Sequence, residues 1–210
     1  MSKVDVTGLF PVPLMRISGF LDAAETAAVA AQMPADAATT NAKSDRLSHS
    51  AVVSPGDSDD FAALCRKLQP RLVDFGSLLF GENLDWLIKE MWLNRLQRGG
   101  FQSVHSHANS FISGVVYLTA THASARTVFY KSMGGREFTF ANEHRGVTMG
   151  PFNAPKWATP AISPGDMVLF PSYLLHEVPP NEGDTRMTLA FNAVPARLRS
   201  WDYELRFAAG

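Results

Sequence analysis

From residue 86 onward the chain is a succession of short runs rich in β-branched and aromatic residues: "WLIKEMWLNRLQ", "FISGVVYLTA", "ARTVFYK", "REFTFA", "DMVLFP" and "TRMTLAFNAV". Gly, Pro and Asn turn residues separate them. Runs this short, bounded this way, predict antiparallel strands. Many such strands close most simply into a jelly roll or barrel, which leaves few open edges. The first third of the chain differs. "LDAAETAAVAAQM" (21–33) contains no Gly or Pro, Pro34 stops it, and Asp22 stands where a helix N-cap belongs. In 59–81, Phe61, Leu64, Leu68, Leu72, Phe75 and Leu79 recur close to helical spacing, with Pro70 as an expected kink or break. Segment 38–58 is polar and reads as loop with one short strand. The expected architecture is therefore mainly β with N-terminal helices (α+β). It is a single domain over 1–210, with a helical part at 1–83 and a jelly-roll core at 84–210.

Composition narrows what such a fold does. Hydrophobic residues make up 46% of the 210 and charged residues 19%, which is a folded composition. The formal net charge is −1, so no electrostatic draw toward nucleic acid or an anionic membrane surface is expected. Cys65 is the one cysteine, which excludes an intramolecular disulfide and a thiol-only zinc site and fits a reducing cytoplasm. The opening "MSKVDVTGLFPVPLM" has no signal-peptide apolar core, and no run is apolar for long enough to span a bilayer. A cytoplasmic enzyme or binding module is the expectation.

Two histidines beside a core strand demand a use. His105 and His107, in "HSHANS", flank a single residue, and alternate positions of a strand face the same way. Two imidazoles so placed can converge on one metal ion, but a site needs a third ligand. His49, His122 and His144 sit in polar stretches and read as solvated. His176, in "SPGDMVLFPSYLLHEVPP", follows an apolar strand and a turn, and an antiparallel jelly roll can bring it beside the first pair. Ten residues on, "TRMTLAFN" places Arg186, Thr188, Ala190 and Asn192 on one strand face, with Met187, Leu189 and Phe191 on the other. A guanidinium opening such a face needs an anion. That anion is either Asp166, Glu177 or Asp184 of the chain itself, or the carboxylate of a ligand.

This set of residues resembles the iron(II)- and 2-oxoglutarate-dependent oxygenases, most closely a prolyl-hydroxylase-like subgroup. The resemblance rests on "HSH" followed by "SGVVYL", on "PGDMVLFPSYLLHEVPPNEGDTRMTLAFN", and on "LFPVPL" and "MWLNRLQRGGFQSVHSH". It implies a double-stranded β-helix, Fe(II) held by His105, His107 and His176, and 2-oxoglutarate as co-substrate. Arg186 would take its distal carboxylate, helped by Thr188, with Asn94, Tyr117 and Asn192 as further polar contacts. The activity it implies is hydroxylation of a small-molecule or peptidyl substrate by O2, with decarboxylation of 2-oxoglutarate to succinate and CO2. One position departs from the wider superfamily, whose triad holds two His and a carboxylate: His107 occupies the carboxylate's place.

Two other readings stand beside this one. "GDMVLFPSYLLH" fits part of a cupin motif, but Tyr173 replaces its Gly, its first-motif Glu is missing, and a cupin gives Arg186 no task. A non-catalytic jelly-roll binding module is the third reading. For the substrate side, Trp92, Tyr130 and Trp157 are candidate pocket walls. The Gly- and Pro-rich 131–160 segment is a candidate lid.

Overall fold

The computed structural model describes residues 5–34, 39–41, 43–132, 142 and 144–208. The strands are β1 (Met15–Ile17), β2 (Thr39–Asn41), β3 (Ser44–His49), β4 (Trp86–Leu96), β5 (Gln102–His105), β6 (Ile112–Tyr117), β7 (Val128–Tyr130), β8 (Lys156–Ala158), β9 (Met167–Pro171), β10 (His176–Val178), β11 (Arg186–Pro195), β12 (Arg197–Ser200) and β13 (Tyr203–Arg206). The helices are α1 (Ala23–Ala31) and α2 (Asp59–Phe80). The strand expected at 136–141 lies outside the described residues.

The strands pair antiparallel in two main sheets. One sheet has the order β1-β9-β6-β11-β4-β3-β2, and the other β5-β10-β7-β8. A β12–β13 hairpin follows. This is the jelly roll that the strand pattern predicts, in the double-stranded β-helix form that the resemblance implies. The N-terminal third supplies more than helices, because β1 joins β9, and β3 joins β4 over Leu47–His49.

Burial explains why the runs are so apolar. In β9, Met167 and Leu169 enter the large core beneath the helices, while Val168 and Phe170 enter a second cluster with Tyr117 and Phe129. Both faces of β9 are therefore dry. β11 divides its faces as its alternation predicts: Leu189 and Phe191 join the large core, whereas Arg186, Thr188 and Ala190 line a cavity.

Both helices begin with local capping. Asp22 accepts from Glu25 N at 2.8 Å, and Glu25 accepts from Asp22 N at 2.9 Å, a complete capping box. Ser58 accepts from Phe61 N at 3.2 Å, and Asp59 and Asp60 put negative charge at the positive end of α2. Pro70 does not end α2, which runs through it for 22 residues. Proline inside a helix costs about 3 kcal/mol. Leu64, Leu68, Leu72 and Phe75 form one apolar face on both sides of Pro70, each at most 1% exposed, and their burial outweighs that cost. The helix ends at Gly81, whose φ of 70° suits the left-handed cap.

Gly114 marks the tightest crossing of strands. It sits opposite Phe191 of β11 and Leu169 of β9, and a Cβ there would overlap the Phe191 ring and lie 2.8 Å from a Leu169 methyl. Gly114→Ala is expected to lower unfolding free energy by about 1–3 kcal/mol through overpacking. Chemical denaturation reads this directly, and an unchanged midpoint would contradict the close approach of these strands.

Candidate active site

β10 pairs antiparallel with β5, with His176 directly opposite His105. The Nδ1 of His105 lies 2.8 Å from the Ser103 carbonyl, and the Nδ1 of His176 lies 2.8 Å from the Leu174 carbonyl. A carbonyl only accepts, so each Nδ1 carries the proton and each Nε2 is bare, as a metal ligand must be. His107 arrives by a different route from the one its spacing predicts. β5 stops at His105, and His107 N instead donates to Ser172 O at 2.9 Å, at the end of β9. The rings still meet, with centroids 5.1 Å apart for 105–107, 4.2 Å for 105–176 and 5.1 Å for 107–176. One nitrogen from each ring lies within 4.8 Å of those of the other two, close enough to converge on one ion.

Burial keeps these rings neutral. Loss of solvent lowers the pKa of all three, and the proximity of His105 adds to this for the other two: His107 falls to about 4 and His176 to about 3. Neutral imidazole is the ligating form.

Arg186 supplies the second half of the site. It is 5% exposed, and its Nε has no hydrogen-bond partner. Its guanidinium carbon lies 5.2 Å from the Tyr117 ring centroid, a cation–π contact. The three carboxylates that the sequence offered as partners are engaged elsewhere. Asp166 binds Arg16 at 2.8 Å, Glu177 accepts from the Tyr130 hydroxyl, and Asp184 lies 3.9 Å from Arg98. Desolvation pulls the guanidinium pKa down, the mark of a buried cation without an ion partner. A buried guanidinium with no carboxylate beside it is destabilising unless a ligand carboxylate completes it.

The three histidines and Arg186 line one cavity of about 510 Å³. Thr188 and Asn94 line it too, paired across β11 and β4, with Trp92 Nε1 donating to Asn94 Oδ1 at 3.2 Å. Two other residues expected to be polar contacts stand outside the lining. Tyr117 lies under the guanidinium, fully buried, with its hydroxyl 3.1 Å from Thr127 Oγ1. Asn192 lies behind His107, with its Nδ2 3.2 Å from Nδ1 of that ring. Of the candidate walls, Trp92 lines the cavity, while Tyr130 and Trp157 do not. His49 was read as solvated, yet it is half-buried in the lining, because β3 pairs with β4 and places it opposite Asn94. His122 and His144 are exposed. Glu90 is a further lining residue that pattern alone did not single out.

Comparison with known proteins places the chain among similar folds. Residues 90–192 match a family model described as "Putative 2OG-Fe(II) oxygenase". No curated protein matches the sequence. Among solved structures, HygX from Streptomyces hygroscopicus, crystallised with nickel and 2-oxoglutarate, is 15% identical with a TM-score of 0.63, covering 88% of this chain and 83% of its own. SnoN, a non-haem α-ketoglutarate-dependent epimerase from nogalamycin biosynthesis, is 14% identical with a TM-score of 0.64, covering 89% and 80%. A prolyl-4-hydroxylase from Pseudomonas putida is 17% identical with a TM-score of 0.57, covering 86% and 92%. The family match over 90–192, these folds and the three histidines together indicate a 2-oxoglutarate/Fe(II)-dependent oxygenase, a family that uses Fe(II), 2-oxoglutarate and O2. The residues fit them: three imidazole rings converge where a metal could sit, and a buried guanidinium whose Nε lacks a hydrogen-bond partner suits a dicarboxylate.

The depressed histidine pKa values carry a stability consequence. The unfolded chain protonates its histidines near pH 6.5, while the folded metal-free protein resists down to about 4 at His107 and about 3 at His176. Their contribution is fully present above pH 6.5 and is lost as pH falls from there toward 3–4. Melting temperature of the metal-free protein should therefore drop between pH 7 and 5. His176→Gln, which cannot gain that charge, should flatten the slope. Equal slopes for parent and variant would show that these rings are not held neutral.

Proposed function

We propose that the enzyme hydroxylates a small-molecule or peptidyl substrate. In this reading His105, His107 and His176 hold Fe(II), and Arg186 holds the distal carboxylate of 2-oxoglutarate. The observation that carries the reading is the buried Arg186, its Nε without a hydrogen-bond partner, in the same cavity as three converging imidazoles. A dicarboxylic 2-oxoacid suits both, with one carboxylate for the fork and an oxoacid end for a metal. Fe(II), 2-oxoglutarate and O2, when bound, supply the oxidising chemistry, with release of succinate and CO2.

The chain's own residues position and enclose. Thr188 and Asn94 offer hydroxyl and amide groups beside Arg186. Leu96, Val115, Val178 and Ala190 make the adjoining walls apolar, which keeps water from the reacting centre. Three neutral imidazoles leave the metal's double positive charge undiminished, where a carboxylate ligand would cancel one unit, so anionic ligands are favoured. The net charge of −1 gives no support to a nucleic-acid or membrane partner, and a cytoplasmic setting is part of the proposal. Hydroxylation rather than epimerisation is the chosen reaction, since the family resemblance in the motif residues is to prolyl-hydroxylase-like enzymes. A cupin would leave Arg186 without a task.

The test has four readouts. Purified protein with Fe(II), ascorbate and 2-oxoglutarate should form succinate above a metal-free control. With substrate present, the product should gain the mass of one oxygen, whereas an epimerase product keeps the substrate's mass. His107→Ala should lose metal as severely as His105→Ala or His176→Ala, while His122→Ala and His144→Ala behave as the parent. Metal content measured across the five variants decides this. Arg186→Leu should weaken 2-oxoglutarate binding about 10- to 100-fold, one or two charge-assisted bonds' worth, and leave metal binding nearly unchanged. Equal loss of both would make Arg186 structural.

A further inference from the structure

Behind His107 lies a buried polar cluster. Asn192, on β11, is 1% exposed. Its Oδ1 accepts from the Ser113 hydroxyl at 2.6 Å, and its Nδ2 donates to Glu90 Oε1 at 2.7 Å. The Ser113 hydroxyl also meets that of Ser172 at 2.9 Å, and Ser172 carries the carbonyl that anchors the His107 amide. These contacts set the direction of the Asn192 side chain. Only an N–H can face an ionised carboxylate at this distance, so Nδ2 points to Glu90 and, on the same side, to Nδ1 of His107 at 3.2 Å.

That orientation has a consequence for the ring. An N–H aimed at Nδ1 requires that nitrogen to be bare, which puts the proton of neutral His107 on Nε2. Nε2 of His107 lies 3.3 Å from Nε2 of His176, which is bare because its own Nδ1 serves Leu174 O. The two rings thus hydrogen-bond to each other in the metal-free protein. His105 and His176 present bare Nε2 atoms at once, whereas His107 presents an N–H.

We propose that Asn192, held by Glu90 and Ser113, is a positioning residue that makes His107 a switchable third metal ligand. This deepens the three-histidine reading and rests on it. For His107 to ligate through Nε2, its proton must sit on Nδ1, and Asn192 must turn its amide over so that Oδ1 accepts from Nδ1–H. The turned Nδ2 then donates to the Ser113 hydroxyl, which keeps Ser172 as its own acceptor. Oδ1 would then face the Glu90 carboxylate, acceptor against acceptor. Glu90 has another partner ready, since Lys89 Nζ lies 3.2 Å from the same Oε1, and its side chain is 33% exposed. Glu90 therefore holds the metal-free orientation and must let go for the metal-ready one.

This makes a prediction of unusual sign. Glu90→Gln removes the charge that holds the amide, and a glutamine amide can donate to the turned Oδ1. It should tighten Zn²⁺ or Ni²⁺ binding by about 2- to 10-fold, the effect of one net hydrogen bond. Asn192→Leu, which removes the positioning group, should weaken metal binding by about 10- to 100-fold. Nitrogen-15 NMR of the imidazoles supplies a readout independent of turnover. In the metal-free protein, His105 and His176 should be Nδ1–H and His107 Nε2–H, and diamagnetic Zn²⁺ should convert His107 to Nδ1–H. His107 already Nδ1–H without metal, or Glu90→Gln weakening metal as Asn192→Leu does, would overturn the switch. Zn²⁺-induced shifts at His105 and His176 with His107 unmoved would likewise overturn it. No shift at any of the three would instead overturn the metal site itself.

Discussion

The site depends on β11 having two dry faces with opposite duties. Leu189 and Phe191 anchor the strand to the helix-covered core, and the long pairing from Arg186↔Leu96 to Pro195↔Trp86 locks its register against β4. A one-residue slip would exchange the two faces, driving Arg186, Thr188 and Asn192 into the core and Leu189 and Phe191 into the cavity. No such slip is tolerable, so the apolar face fixes where the guanidinium stands. The same burial denies Arg186 water and leaves its Nε without a hydrogen-bond partner, so a packing constraint sets where a ligand carboxylate would be met.

The histidines are held by backbone more than by one another. Two of them send Nδ1 to a carbonyl two residues earlier, a local contact that orients the ring before any ion arrives. The third is tied through its amide to the end of β9. A metal then meets rings whose rotational freedom is already spent, which favours binding. The polar cluster behind His107 is the exception to this readiness, and its members Asn192, Ser113 and Ser172 are buried polar groups satisfied by one another.

The cavity's outer wall comes from the N-terminal third. Thr39, Asn41, Leu47, His49, Ser50, Ala51 and Val52 add hydroxyl, amide, imidazole and methyl groups to the space beyond the histidines. Whatever enters the cavity is met there by groups that hydrogen-bond without carrying fixed charge.

Much of this was legible in the chain read alone. Period-two alternation in 186–192 separated cavity from core, because all of these residues but the half-buried Met187 are buried on one side or the other and a wrong residue type would be penalised. His105, His107, His176 and Arg186 stood out because each is costly beside apolar strands without a ligand. The capping residue Asp22 and the face of α2 were equally local signals. Tertiary structure decided what rests on contacts far apart in sequence. Ser172 O captured the His107 amide, where alternation along a strand had been expected to aim the ring. Pairing of β3 with β4 moved His49 from apparent solvent into the cavity wall. Asn192 and Tyr117, expected beside the ligand, support His107 and Arg186 from behind. Side-chain alternation tells which face a residue takes. How deep it lies along that face, and which neighbour reaches it first, are set by strands far away in the chain.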